Sequence, residues 1–204
     1  MSEAGTAVQV DMTRLDATDI PLVLLDALRL GGRVTVVSSD VLAFPIIESF
    51  IRSHPGGGII ICSASLPAWL PQAIVAGLPA SRVLLVGVRG MGQEEWEQIK
   101  VLGIRVHSMH HMSLNGFSEV VLGSMELARS FGPLHLYIDL DVLDPVFTGM
   151  NGSVGGLSSR EFIYMMSRFS LLRNVKLCHV VSGSLNRGTS ELILRTIAEL
   201  ACSP

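Results

Sequence analysis

Three carboxylates stand close together in the segment YIDLDVLDP, which begins within an apolar run. They belong to Asp139, Asp141 and Asp144. If the run is a strand, the alternation of its side chains places Asp139 and Asp141 on the same side. Two like charges this close raise the pKa of one group unless a cation or a hydrogen-bond network offsets their repulsion. The pair therefore predicts either a divalent metal ion or carboxylates that cap nearby amides, whereas Asp144 before Pro145 is typical of a turn.

A glycine turn follows in the segment GGLSSRE at positions 155–161. Ser158 precedes a helical pattern and Glu161 lies three residues further on, which is the spacing of a capping box. Together the two segments resemble the signature of the ureohydrolases, the family of arginase, agmatinase and formiminoglutamase. That signature reads S-x-D-x-D-x-x-D-P and then G-G-L-[TS]-x-R-E. Weaker similarity to other family motifs covers residues 20–202, so the resemblance implies the fold of the family more safely than its activity.

The resemblance implies a reaction in which two manganese ions share a hydroxide that attacks a guanidinium or amidine carbon. Two of the six metal ligands of the family are carried over to Asp139 and Asp141. The other four fall on residues that are poor ligands for manganese: Val41, Ser63, Ser65 and Pro67. We therefore expect no binuclear cluster and no cofactor, and at most one weakly held divalent metal at the two aspartates, with most of its shell left to water.

The resemblance also implies losses around the substrate. The glutamate expected to hold the guanidinium falls on Ser182, and the histidine loop expected after the third strand has no counterpart in segment 66–81. A vestigial pocket is expected to contain Ser63, Ser65, Asp139, Asp141 and Ser182. We expect a non-catalytic binding or assembly subunit. The alternative is a hydrolase that cleaves C–N bonds of guanidinium-like or amidine-like small molecules with an altered or mononuclear metal site.

Other polar residues are weaker candidates. His110 and His111 follow the fifth predicted strand, but adjacent imidazoles diverge, and a solvated loop is favoured over a ligand site. Arg89 in the segment GVRG offers an anion site, although an ordinary turn is favoured. Cys62 and Cys178 lie in apolar runs and are interpreted as reduced core thiols, because the three cysteines of the chain lack the spacing of a disulfide framework or a zinc site.

Short apolar runs alternate with longer segments of helical period along the whole chain. The predicted strands are 7–10, 33–37, 58–62, 82–87, 104–107, 134–140 and 175–181. The predicted helices are 19–30, 45–53, 93–102, 118–129, 158–169 and 189–200. Most runs are apolar throughout, as in parallel strands covered on both faces. This alternation predicts an α/β fold in three layers, with a mainly parallel sheet between helices and any site outside the carboxyl ends of the strands.

Charge and hydropathy restrict the classes of partner. The 204 residues include 15 Lys plus Arg and 18 Asp plus Glu, which gives a net charge of −3. Nucleic acid is therefore not an expected partner, because phosphate binding needs a basic patch. No apolar stretch reaches the length of a membrane span, and the first residues lack the pattern of a secretory signal. We expect a cytoplasmic protein that does not enter a membrane.

The composition also predicts assembly. Hydrophobic residues make up 49% of the chain and charged residues 16%, against roughly 25% charged residues in ordinary soluble domains. We expect apolar surface to be buried in a homo-oligomer or in a hetero-oligomer with an intact homologue. No linker or repeat divides the chain, so residues 1–204 are expected to form one domain. The resemblance implies that this domain is shortened at the N terminus and in the active-site loops. A small-molecule ligand is a further candidate partner.

Overall fold

The computed structural model describes residues 8–11, 20–30, 32–149, 152–182 and 187–201. Within these ranges, the strands are β1 (Val8–Asp11), β2 (Val34–Ser38), β3 (Gly58–Cys62), β4 (Val83–Val86), β5 (Arg105–His107), β6 (Leu134–Asp139) and β7 (Val175–Val181). They form one sheet in the order β1-β2-β7-β6-β3-β4-β5. Every neighbouring pair is parallel, which confirms the predicted α/β class.

Helices connect the strands and follow the last of them. They are α1 (Ile20–Arg29), α2 (Ala43–Ser53), α3 (Leu70–Val75), α4 (Gln93–Leu102), α5 (Met109–Asn115), α6 (Phe117–Arg129), α7 (Pro145–Thr148), α8 (Ser159–Phe169) and α9 (Arg187–Ala201). The predicted capping box is confirmed at α8, where Ser158 Oγ accepts the Glu161 N–H at 3.2 Å and Glu161 Oε2 accepts the Ser158 N–H at 2.8 Å. None of the described helices is long and apolar enough to cross a membrane.

Two helical layers cover the sheet. Residues of α1, α2, α3 and α4 pack on one face, against alternate strand side chains such as Ile59, Ile61 and Leu85. Residues of α5, α6, α8 and α9 pack on the other face, against side chains such as Ile60 and Leu136. All five residues of β3 are buried, which explains why this run is apolar throughout. The predicted three-layer architecture is therefore confirmed.

The predicted elements agree with the structure except for three short helices. The strand boundaries differ from the predicted ones by at most one residue at either end, and Asp19, the expected cap of α1, lies outside the described residues. The sequence did not predict α3, α5 or α7. The interpretation of His110 and His111 as a solvated loop is wrong, because both lie in α5, whose first turn is capped by Ser108 Oγ accepting the His111 N–H at 3.1 Å.

The strand register brings the ends of β2, β6 and β7 together at one edge of the sheet. Asp139 of β6 lies beside Val181 of β7, and Val181 lies beside Ser38 of β2. On the other side of β6, Ile138 lies beside Cys62, the last residue of β3. Polar residues that follow these strands therefore meet outside their carboxyl ends, where ligand sites form in open α/β sheets.

Candidate functional site

A cavity of about 520 Å³ opens at this edge of the sheet. Three carboxylates line it: Asp139 at the end of β6, Asp141 two residues later, and Asp40 in the short 3-10 turn Asp40–Leu42 that follows β2. Trp69 and Phe44 supply apolar wall. The sequence did not single out Asp40, although its place just after a predicted strand was the available signal.

The two aspartates of the motif come together, but not through strand alternation. The strand ends at Asp139, and the chain turns at once into a 3-10 helix, Leu140–Val142. Asp139 caps this turn, because its Oδ1 accepts the backbone N–H of Asp141 at 3.0 Å. The Asp139 carboxylate therefore caps a nearby amide, which is one of the two interpretations of the aspartate pair given above.

Asp141 is held by donors from the end of β3. Its Oδ1 accepts the Ala64 N–H at 2.9 Å, and a hydrogen bond from the Ser63 hydroxyl lowers its pKa. The Ser63 side chain is buried, and its Oγ lies 3.4 Å from the backbone N of Ser65. The Ser65 side chain is exposed at the cavity wall. The predicted serine contact to the aspartate pair is therefore made by Ser63.

Burial and neighbouring negative charges act on both carboxyl groups. Burial, followed by the charge of Asp141, raises the pKa of Asp139 to about 8. Burial also raises the pKa of Asp141, although the Ala64 N–H, Ser63 and the positive charge of Arg89 oppose this shift. The charge of Asp40 raises the pKa of both groups further. The cavity therefore disfavours a second or third negative charge in the absence of a bound cation.

Tyr137 forms the floor of the cavity. Its side chain is 1% exposed, and its hydroxyl donates to Asp40 Oδ1 at 3.5 Å. The indole ring of Trp69 packs edge-on against it, with the ring centroids 5.0 Å apart. Burial and the charge of Asp139 raise the pKa of Tyr137. The phenol is thus a fixed neutral donor and not a base near neutral pH.

The remaining residues carried over from the resemblance occupy different positions. Val41 lines the mouth of the cavity and is 85% exposed, and Pro67 lies on the wall. Ser182 is buried directly after β7, with its backbone N–H donating to the Ser38 carbonyl at 3.4 Å. It is not among the residues that line the cavity. The structure therefore brings Ser63, Ser65 and the two aspartates together, but leaves Ser182 outside the pocket.

Asp144 stabilises the loop that follows the motif. Its carboxylate accepts the N–H groups of Val146, Gly155 and Gly156 at 3.1, 2.7 and 3.3 Å. These bonds lower its pKa, the largest effect coming from Val146. A side chain at position 156 would lie 2.6 Å from the backbone of Asp144 and Leu143, so glycine is required there. The prediction that Asp144 forms a turn is confirmed.

Arg89 holds the same loop from the other side. Its guanidinium donates to the carbonyl oxygens of Asp141, Val142, Leu143 and Ser153, at distances of 2.7, 3.1, 3.0 and 2.9 Å. The donors that an anion would need are therefore occupied by backbone carbonyls, and the turn interpretation of the GVRG segment is favoured. Sequence reasoning missed this role because the acceptors lie more than 50 positions away along the chain.

The other reactive side chains are structural. His107 stacks on His111 with the ring centroids 5.3 Å apart, and its Nδ1 hydrogen bonds Ser124 Oγ at 2.7 Å. Burial lowers the pKa of His107. Cys62 and Cys178 are free and buried, and burial raises the pKa of Cys178 to about 12. The prediction of core thiols is confirmed for both, because a buried thiol with a raised pKa is a poor nucleophile.

Comparison with known proteins identifies the family. Residues 57–202 match the model described as the Arginase family. Arginase-1 of Homo sapiens is 32% identical over 206 residues, which cover 82% of this chain and 63% of that protein. Arginase-1 of Rattus norvegicus is 38% identical over 92 residues, which cover 43% of this chain and 28% of that protein.

Solved structures share the fold at lower identity. Arginase from Bacillus caldovelox has a TM-score of 0.82 at 18% identity and covers 92% of this chain and 75% of that one. Formimidoylglutamase from Bacillus subtilis has a TM-score of 0.77 at 13% identity, and the match covers 96% of this chain and 71% of that one. The class is therefore that of the ureohydrolase fold, and the chain belongs to the arginase family. It spans from 28% to 63% of the length of the two arginases named above.

The residues present do not fit the two metal ions that this family implies. The Val41 and Pro67 side chains offer no donor atom. One oxygen each of Asp139 and Asp141 already accepts a backbone N–H. Within the described ranges, no three His, Cys, Asp or Glu side chains come close enough together to hold a metal ion.

Proposed function

We propose that this chain is a non-catalytic member of the arginase family that acts as a binding or assembly subunit. The donor set supports this proposal. Val41, Ser63, Ser65 and Pro67 stand where the resemblance implies metal ligands. Without two metal ions, the cavity has no group that would lower the pKa of water toward 7. The hydroxide that the reaction of the family requires would therefore not form.

The charge of the cavity supports a small cationic ligand. Asp40, Asp139 and Asp141 line it, and the described part of the chain adds no lysine or arginine to its wall. Trp69 and Tyr137 add aromatic rings, which favour a positive charge near their faces. A volume of about 520 Å³ is in the range of small-molecule sites. An organic cation would oppose the burial and the neighbouring charges that raise the pKa values of the aspartates.

A hydrolase with a mononuclear metal site is the second candidate. The retained pair Asp139 and Asp141 favours it, because two carboxylates and water are able to hold one divalent ion weakly. Burial and neighbouring charges raise the pKa of both groups, and a cation bound between them would oppose this shift. This candidate and the first differ in the number of metal ions bound per chain.

Metal content separates the two candidates. We expect protein purified without chelator and then incubated with Mn²⁺ to contain less than one metal ion per chain by elemental analysis, because only two carboxylates remain as strong donors. Asp141→Asn, which keeps the size of the side chain, serves as the matched control and is expected to give the same content. One ion per chain that is lost in this variant would favour the mononuclear hydrolase, and two ions would overturn the proposal.

Binding without turnover is the second expected result. Equilibrium dialysis with agmatine as the probe is expected to show retention by the protein, while a urea assay of the same sample with added Mn²⁺ stays at background. Asp141→Asn removes one charge of the cavity and is expected to weaken retention about tenfold, since a hydrogen bond to a charged group is worth about 1.5 kcal/mol. Urea release that disappears in Asp139→Ala would contradict the non-catalytic assignment.

Assembly is expected from the apolar surface. Val146 and Val154, on the loop fixed by Asp144, are 78% and 81% exposed in the isolated chain. We expect light scattering at micromolar concentration to give a multiple of 21.9 kDa, with Val146→Lys as a variant that lowers the mass if this loop is part of the contact. Aggregation that is prevented by co-expression with an intact homologue would favour the hetero-oligomer, whereas a clean monomer would exclude the homo-oligomer.

We also propose a cytoplasmic location. The free thiols of Cys62 and Cys178 support it, because cysteines persist in reduced form mainly in reducing compartments.

A further inference from the structure

Two histidines are buried side by side beneath α2. His135 of β6 and His179 of β7 lie on neighbouring strands, and neither is exposed. Their rings are stacked, with centroids 5.9 Å apart and planes inclined by 12°. Neither histidine is among the residues that line the cavity, whereas Tyr137, which lines it, contacts both rings on the same face of the sheet.

The surroundings of these rings favour the neutral form of both. Ser38 Oγ lies 2.7 Å from His179 Nε2 and 3.0 Å from the Ser39 carbonyl. When the hydroxyl donates to that carbonyl, His179 Nε2 is the donor to Ser38 and Nδ1 carries the lone pair. Among the described residues, His179 Nδ1 and both ring nitrogens of His135 have no hydrogen-bond partner. A second proton on either ring would thus add a charged N–H without an acceptor in a buried layer.

Helix α2 covers His135 through Phe50. The ring of Phe50 lies 5.3 Å from that of His135 and stacks on His54 at 5.1 Å. The same helix follows directly after the turn that carries Asp40, and its Phe44 lines the cavity. A displacement of α2 would therefore remove both the cover of the histidines and one wall of the cavity.

Within the described ranges, no carboxylate hydrogen bonds to either ring. On α2, Glu48 is paired with Arg52 at 2.7 Å near the surface. The other titratable or charged side chains of the surrounding elements are His54 on α2, Tyr137 and Asp139 on β6, Lys176 on β7, Asp40 after β2, and the exposed pair Asp26 and Arg29 on α1. Burial lowers the pKa of both histidines, and the charge of His179 lowers that of His135 further.

We propose that His135 and His179 form an acid-sensitive latch that holds α2 on the sheet. In the neutral state the stacked rings pack under Phe50. Protonation of either ring places an unpartnered charge beside the other, and the charge reaches water only when α2 moves away. Acidification therefore opens the wall of the cavity. This inference does not depend on which ligand the cavity binds.

The direction of the pH dependence follows from linkage. An unfolded histidine has a pKa of about 6.5, whereas burial lowers the pKa of folded His179 to about 3 and that of His135 well below its usual value. The stabilising effect of the neutral rings is complete above pH 6.5 and is lost as the pH falls below it. Each ring raises the unfolding constant about tenfold per pH unit in that range.

The test compares the wild type with His135→Phe, whose apolar ring fills the same place between Phe50 and His179. Urea unfolding between pH 8 and pH 4 gives the unfolding constant of the wild type divided by that of His135→Phe. We expect this ratio to be constant above pH 7 and to rise about tenfold per unit between pH 6 and pH 4. The carboxylates of the cavity are present in both proteins, so their titration cancels. His110→Phe, at an exposed position, is the matched control and should give a flat ratio.

A flat ratio for His135→Phe would overturn the latch. Hydrogen exchange on the wild type tests the same point without a variant, in case the substitution prevents folding. Exchange of imidazole C–H hydrogens should show that folded His135 stays neutral at pH 5, and the protection of the amides of α2, relative to their intrinsic exchange rates, should fall more than that of the amides of α6 as the pH falls. Titration of His135 near pH 6.5 in the folded protein, or an equal loss of protection in α2 and α6, would contradict the proposal.

Discussion

Replacement of Asp139 by asparagine is expected to stabilise the folded protein at pH 8 and above when a chelator is present. The folded pKa of Asp139 is raised to about 8, whereas an unfolded aspartate titrates at about 3.9. The folded state therefore keeps a proton that the unfolded state loses. The stabilising contribution of neutral Asp139 is complete below about pH 4 and is lost as the pH rises through 8. Asparagine removes this loss and keeps an oxygen to accept the Asp141 N–H.

The difference of about four pKa units sets an upper limit of about 5 kcal/mol. Asp139 is partly exposed, and its repulsion is shared with Asp141. In urea unfolding, we therefore expect the free energy of unfolding of Asp139→Asn to exceed that of the wild type by about 2 kcal/mol at pH 9, and this difference to decline to zero below pH 4. Asp144→Asn is the control and should lower the free energy of unfolding, since three backbone N–H groups favour the charged form of that side chain. A less stable Asp139→Asn variant at pH 9 would contradict the prediction.

The same experiment with added Mn²⁺ has a separate use. A cation held by both aspartates would stabilise the wild type and not Asp139→Asn, since binding to the folded state alone raises its stability. The advantage of asparagine would then shrink or reverse. That result would favour the mononuclear hydrolase over the non-catalytic subunit.

The central strands were predictable because they are buried on both faces. Runs such as 58–62 and 175–181 match β3 and β7 at both ends, since continuous burial selects continuous apolar sequence. Short helices leave no such pattern. The four-residue α7 and the seven-residue α5 span at most two turns, so helical period cannot be recognised in them.

The acidic motif of the candidate site could be predicted from the sequence, but the contacts that hold the motif in place could not. Asp139 and Asp141 could be found because they are close in sequence and follow an apolar run. The 3-10 turn between them depends on the cap made by Asp139 and on the contact of Asp141 with Ala64. Asp40 contributes its charge from a different strand end. Long-range contacts of this kind follow from the sheet order and not from local spacing.

Arg89 shows what keeps the motif ordered without metal ions. Its guanidinium binds the carbonyl oxygens of three successive residues, Asp141, Val142 and Leu143. On the other side, Leu157 is bonded to two residues of the loop: its carbonyl accepts the Asp144 N–H at 2.8 Å, and its N–H donates to the Val142 carbonyl at 3.0 Å. The loop is therefore fixed by contacts that a metal ion does not supply.

Arg89→Ala is accordingly expected to lower the free energy of unfolding by about 3 kcal/mol, since several charge-assisted hydrogen bonds to partly buried carbonyls are lost. Arg105→Ala, at an exposed position of β5, is the matched control and should change stability by less than about 0.5 kcal/mol. In hydrogen exchange, the amides of Asp144 and Leu157 should lose protection before those of the central strands. If Arg89→Ala leaves both stability and these two amides unchanged, the loop is held by Asp144 and its glycines alone.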